Sequence, residues 1–234
     1  MNRAVQAVAI AAFVTFGFAS SAAHADTIAT WTFETSIPLA AGAFAPEVGT
    51  GAALGLHASG STAYSSPVGN GSAHSFSSTN WGVGDYYQFR VSTIGFSGIT
   101  LSWDQASSNT GPRDFKLAYS TNGTTFTDFA TYSVLANATP NPTWSSSTAL
   151  SLYTFTQNLS SITALNGQSN VYFRLIDTST VSANGGAIGT GGTDRVDNFS
   201  VSGSQIAVTP IPAAIWLLGS GLLSLGGLAR RRLE

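Results

Sequence analysis

The sequence predicts an all-β, two-sheet antiparallel sandwich, flanked by an N-terminal signal helix and a C-terminal transmembrane helix. Three observations predict it. Short runs of alternating apolar and polar residues recur through the middle of the chain, separated by Gly, Asn, Ser or Pro. No internal segment carries a 3.6-residue apolar period. The long apolar stretches lie at the two ends, each with basic residues beside it.

Nine strands are expected, over residues 28–34, 73–77, 86–91, 99–104, 115–120, 125–132, 150–159, 171–177 and 195–202. Side chains alternate across a strand. In 99–104 that puts Ile99, Leu101 and Trp103 on one face, with Thr100, Ser102 and Asp104 on the other. Phe115, Leu117 and Tyr119 form a second inward set. Val171, Phe173 and Leu175 form a third, opposed by Tyr172, Arg174 and Ile176. Thr121-Asn122-Gly123-Thr124 is the best turn, because Asn-Gly readily takes positive φ. Segments 38–72 and 184–193 read as loops. The first is long enough to hide a strand near 52–57.

Composition narrows the chemistry. The 234 residues carry only 9% charged side chains, while 32 Ser, 27 Thr and 25 Gly make up more than a third of the chain. Cysteine is absent, which excludes disulfide scaffolds, Cys₄ zinc sites and thiol catalysis. Residues 26–209 hold five basic and ten acidic side chains, so nucleic acid is not an expected partner.

Three parts follow: 1–25, 26–207 and 208–234. Residues 1–25 open with Arg3, run apolar to Ala19, and end in small residues at Ala23 and Ala25. That pattern is a secretory signal peptide cut after Ala25, which makes signal peptidase and the secretion machinery partners. At the other end no side chain from Ile211 to Leu228 is charged. As a helix, reaching about residue 229, this stretch is about 27 Å long, enough to enter a bilayer core. Arg230, Arg231 and Arg232 would hold its end in the cytoplasm, leaving the folded part outside.

The tail resembles the PEP-CTERM sorting signal of Gram-negative bacteria, in its Val-Pro-Leu-Pro-Ala variant. The matching residues are Pro210, Ile211, Pro212, Ala213 and Ala214, then the Trp216–Leu225 span, then Arg230, Arg231 and Arg232. Thr209 replaces the usual Val, and Ile211 stands where the name-giving form has Glu. The resemblance implies an exosortase that cuts near 210–212. It also implies a membrane-anchored, periplasm-facing precursor destined for the cell surface or extracellular matrix, with exopolysaccharide or biofilm as its setting.

The middle resembles the jelly-roll modules of carbohydrate-binding and galactose-binding-like domains. The resemblance rests on Trp31-Thr32-Phe33-Glu34, the stretch 115–126, and Arg195-Val196-Asp197-Asn198-Phe199. It implies a structural calcium shared by the first and last strands, with Glu34 and Asp197 as ligands and Asp194 as helper. Calcium seeks 6–8 oxygens, which carboxylates and carbonyls supply. The other reading has Asp197 bonding backbone amides and Glu34 facing water or Arg195.

The expected main function is that of a non-catalytic, exosortase-sorted surface or matrix protein. Carbohydrate binding is the alternative. It needs exposed rings beside polar groups, and the candidates are Trp81, Trp144, Tyr86 and Tyr87. Trp81 and Trp144 would serve equally as caps of the sandwich edge, and Trp31 and Trp103 pattern as core. An envelope glycan hydrolase is the rival class. His57 and His74 read as solvated, and most carboxylates sit singly at strand ends or turns, so no catalytic residue is assigned.

Overall fold

The structure, a computed structural model, describes residues 25–206. Ala23 and all of the sorting-signal residues lie outside the described residues, whereas Ala25 begins the first strand. Among the described residues no helix is long and apolar enough to cross a membrane.

Twelve strands form two antiparallel sheets, the jelly-roll sandwich that the sequence predicts. In chain order they are β1 (Ala25–Trp31), β2 (Gly42–Phe44), β3 (Gly51–Leu56), β4 (Tyr64–Ser65), β5 (Phe76–Ser78) and β6 (Tyr86–Val91). There follow β7 (Phe96–Ser107), β8 (Asp114–Ser120), β9 (Thr127–Ser133), β10 (Thr154–Asn158), β11 (Val171–Asp177) and β12 (Asp194–Gln205). The first sheet runs β10-β7-β12-β5-β4, with β1 also paired to β12. The second runs β2-β3-β6-β11-β8-β9.

Alternation builds the core between them. Phe89 of β6 stacks on Phe199 of β12 with centroids 3.6 Å apart, which ties the two sheets together. Trp31 packs edge-on against both rings and is fully buried, as is Trp103. Deleting any of these aromatics would cost about 3–5 kcal/mol.

The hidden strand near 52–57 exists as β3. The first strand ends at Trp31 and does not reach Glu34, because Phe33 turns the backbone to a φ of 59°. The expected strand 150–159 opens as a short 3₁₀ turn, Ser151–Tyr153, before β10. Segment 134–153 crosses the outer face of the first sheet, where Ala106, Trp144 and Tyr153 form a second apolar cluster.

The outer face of the second sheet is partly covered, with the β8–β9 connection laying Phe126 over it and Gln88, Ala118 and Ser120 buried, and the register fixes what it displays. Leu56, Tyr86, Ile176 and Lys116 form one row across β3, β6, β11 and β8. Leu54, Gln88, Arg174 and Ala118 form the next, and Ala52, Arg90, Tyr172 and Ser120 the third.

Candidate functional site

Arg174 sits at the middle of that outer face. Its guanidinium carbon lies 3.9 Å from the centroid of the Tyr86 ring and 3.6 Å from that of Phe126. Tyr86 comes from the neighbouring strand, while Phe126 reaches over from the β8–β9 connection. Nε of Arg174 donates to Gln88 Oε1 at 2.8 Å, which fixes the plane of the fork. Its Nη atoms have no hydrogen-bond partner among the described residues. Partial burial between the rings pulls its pKa down from the ordinary arginine value, an effect too small to discharge a guanidinium at neutral pH.

Aromatic surface and polar groups therefore share one plane. Tyr172 lies in the row next to Arg174, and its ring rests against the Gly123 turn. Arg90 is exposed, and its Nη1 donates to Asn170 Oδ1 at 3.3 Å. Lys116 Nζ pairs with Asp128 at 2.9 Å. Flat rings beside hydrogen-bonding groups suit a chain of sugar rings, whose apolar faces stack while hydroxyls bond sideways.

Of the sequence-predicted ring residues, Tyr86 alone belongs to this face. The other three are corrected by burial. Trp81 is 6% exposed, packed against His57, Tyr87 and Phe115, with its Nε1 donating to Ser78 O. Trp144 is 4% exposed and lies edge-on to Tyr153 beneath segment 134–153. Tyr87 points inward, where its hydroxyl donates to the Asp194 carbonyl at 2.8 Å. Both tryptophans thus serve the packing role that the sequence left open.

Of the three residues named for calcium, Asp194 stands apart in bonds of its own. Asp194 is fully buried, with Oδ1 accepting from Gln105 and Oδ2 from Ser107. Burial pushes its carboxyl well above the usual aspartate range. Glu34 and Asp197 do reach the same turn, 69–74, but each accepts protons there. Glu34 Oε1 takes the His74 N–H, and Asp197 Oδ2 takes the Asn70 N–H and the Ser72 hydroxyl. Asp197 Oδ1 takes the Asn198 N–H. A cation at Asp197 would have to displace those donors, and the described residues hold no cluster of three or more acidic or histidine side chains suited to a metal.

His57 departs furthest from expectation. Its side chain is only 1% exposed, with Nδ1 3.2 Å from Asp85 Oδ2 and Nε2 3.1 Å from Ser78 Oγ. Those are the separations of a nucleophile–base–acid relay, yet Ser78 is fully buried and its hydroxyl also contacts Tyr87 at 2.8 Å. The adjoining cavity of about 320 Å³ is walled by Asn80, Trp81, Gly82, Asp85 and Gly189, not by Ser78. Substrate cannot reach that hydroxyl. Asp85, Asp104, Asp177, Asp194 and Asp197 are all buried, and Asp85, Asp177 and Asp197 accept from backbone N–H groups.

Sequence reasoning missed Arg174, Phe126 and Gln88 as a group because they meet only through strand register. The signal was partial: alternation in 171–177 already placed Tyr172 and Arg174 opposite the core set.

No known family profile matches the chain, and no curated protein matches it. Solved structures do. One is the carbohydrate-binding and catalytic module pair of a Clostridium thermocellum endo-1,4-β-D-xylanase, complexed with xylohexaose. It is 14% identical over 80% of this chain and 30% of that one, with a TM-score of 0.46. Another is the K2 cleaved adhesin domain of Lys-gingipain, 15% identical over 74% of this chain and 96% of that one, TM-score 0.42. A third is a family 11 carbohydrate-binding module, CtCBM11, 14% identical over 80% and 100%, TM-score 0.37. The chain spans less than a third of the xylanase chain. At these identities and scores the likenesses carry no argument about ligand or activity.

Proposed function

We propose that this protein is a non-catalytic glycan-binding module exported to the cell surface, binding polysaccharide across the outer face of its second sheet. The observation that carries the reading is Arg174 clamped between Tyr86 and Phe126, beside Tyr172 and the exposed Arg90, on the outer face of the second sheet. A ring–guanidinium–ring stack presents polar and apolar surface side by side with little freedom left to lose on binding.

Retention on the producing cell's matrix polysaccharide tests it. Tyr86→Ala and Tyr172→Ala together are expected to cut retention about tenfold or more, since each lost stacking contact is worth roughly 1 kcal/mol. Unchanged retention by the folded double variant would remove the site. Trp81→Ala is the contrasting control: a core defect that lowers Tm and leaves retention per folded molecule intact.

Export and anchoring belong to the same reading and rest on the two ends of the chain. An exosortase would release the body near 210–212 and pass it to surface or matrix. The intact mass of the mature protein tests this: it should lack residues 1–25 and the segment beyond the proline motif, and a full-length mass would refute both cuts.

A further inference from the structure

The outer face of the second sheet carries its cations in a straight line. Arg90 stands opposite Tyr172, Arg174 opposite both Gln88 and Ala118, and Lys116 opposite Ile176. Each step from Arg90 to Arg174 to Lys116 therefore moves one strand across and two residues along. Such diagonal neighbours are about 7–8 Å apart.

This line runs against the charge of the whole. Residues 26–209 contain only five cations against ten carboxylates, yet three of the five share this diagonal. The carboxylates on the same face are Asp128, paired to Lys116, and Asp114 at its margin, held by Arg113. Neither comes within ion-pairing distance of Arg90 or Arg174, whose guanidinium groups bond only amide oxygens. Five buried aspartates lie inside the sandwich or at its ends, where a bound polymer would not meet them.

We infer that this face selects a linear polysaccharide whose units carry carboxylates, a polyuronate, with Arg174 as the central contact. The inference rests on the glycan-binding reading and narrows it. The Nη edge of Arg174 offers two parallel donors, the geometry that matches a carboxylate. Arg90 extends the positive line to one side, and Lys116, paired with Asp128, marks its other end, so that acid groups of one chain meet Arg174 and Arg90 in succession. Tyr86 and Tyr172 flank the line and supply stacking for the rings between them.

Affinity electrophoresis of the full chain in mild detergent tests this with two polymers, polygalacturonate and the same polymer fully methyl-esterified. The acid form should retard the protein and the ester should not. Raising salt to roughly half-molar should abolish the retardation, because exposed charges are screened there. Arg174→Gln and Arg90→Gln should each weaken it about tenfold per folded molecule, and the exposed Arg90→Gln should do so with Tm near wild type. Equal retardation by the ester overturns charge selection and leaves glycan binding standing. Retardation by the acid form that survives both substitutions places binding elsewhere and overturns the inference. No retardation by either polymer also overturns it, and retention on matrix polysaccharide then decides the broader reading independently.

Discussion

Asp104 and Asp197 stand directly opposite one another on β7 and β12, and a single amide group lies between their carboxylates. Nδ2 of Asn198 donates to Asp104 Oδ2 at 2.8 Å and to Asp197 Oδ2 at 3.3 Å. Asn198 can reach both because a bulge puts it at a φ of 50°.

Burial pushes the Asp197 carboxyl up to about 7, against the pull of its hydrogen bonds from Ser72, Asn70 and Asn198, with the Asp104 charge adding to the rise. A carboxyl whose folded pKa lies above its unfolded value near 3.8 binds its proton more tightly in the fold. Its stabilising contribution is therefore complete below about pH 4 and is lost as pH rises through 7. Asp197→Asn removes that titration. Urea midpoints at pH 5 and pH 8 should differ less for the variant than for wild type, by on the order of 1 kcal/mol in stability. Parallel pH profiles would show that Asp197 is ionised throughout.

The same donors bear on calcium. Asn70 N–H and the Ser72 hydroxyl already occupy Asp197 Oδ2, so an ion there would compete with them. Thermal melting in millimolar calcium and in excess EDTA should give the same Tm. A calcium-dependent rise of several degrees, abolished by Glu34→Gln, would mean that the ion displaces these donors and that Glu34 and Asp197 share it.

The elements most legible in the sequence were those with one wet and one dry face. β11 alternates throughout because its inner residues pack on the core and its outer residues stay partly exposed, whereas β6 and β8 lose the pattern at Gln88, Ala118 and Ser120, which are buried on the outer side. The two-residue β4 and three-residue β2 are too short to show a period, and β7 loses its alternation from Trp103 to Ser107 because segment 134–153 covers its outer side. That covering segment is also why Trp144 looked like an exposed loop ring. The proposed face was half legible: Tyr86 stood beside polar neighbours in sequence, but Phe126 and Arg174 are 48 positions apart. Net charge concealed the cation diagonal, since it averages over a body in which five of the ten acids are internal.

The β8–β9 turn supports the proposed face through one residue. Gly123 has a φ of 74°, and a Cβ there would stand 2.9 Å from Cζ of the Tyr172 ring. Gly123→Ala therefore carries two costs: about 1 kcal/mol for a left-handed backbone, and the displacement of Tyr172. Urea denaturation separates them. In a Tyr172→Ala background the second cost should vanish and the first remain, giving a measurable coupling between the sites. Simple additivity would show that the turn moves freely without disturbing the ring.

His57 gives the fold an acid limb of its own. Burial holds its pKa below the usual 6.5, and the opposing pull of Asp85, 3.2 Å away, is the smaller effect. The unfolded chain takes up a proton at this residue as pH falls below 6.5, while the folded one resists until lower pH, so stability declines over that interval. Asp177 works in the opposite sense. Burial raises it to about 6, so its contribution is present in acid and is lost as pH climbs from about 4 through 6. In wild type the His57 slope therefore opposes those of Asp177 and Asp197 between pH 7 and pH 5. His57→Gln should tilt the profile toward greater stability in acid, and Asp177→Asn should tilt it the other way. A tilt of His57→Gln toward lower stability in acid would mean that the imidazole is protonated in the fold, as the charged partner of Asp85, and matching slopes would mean that its pKa is unshifted.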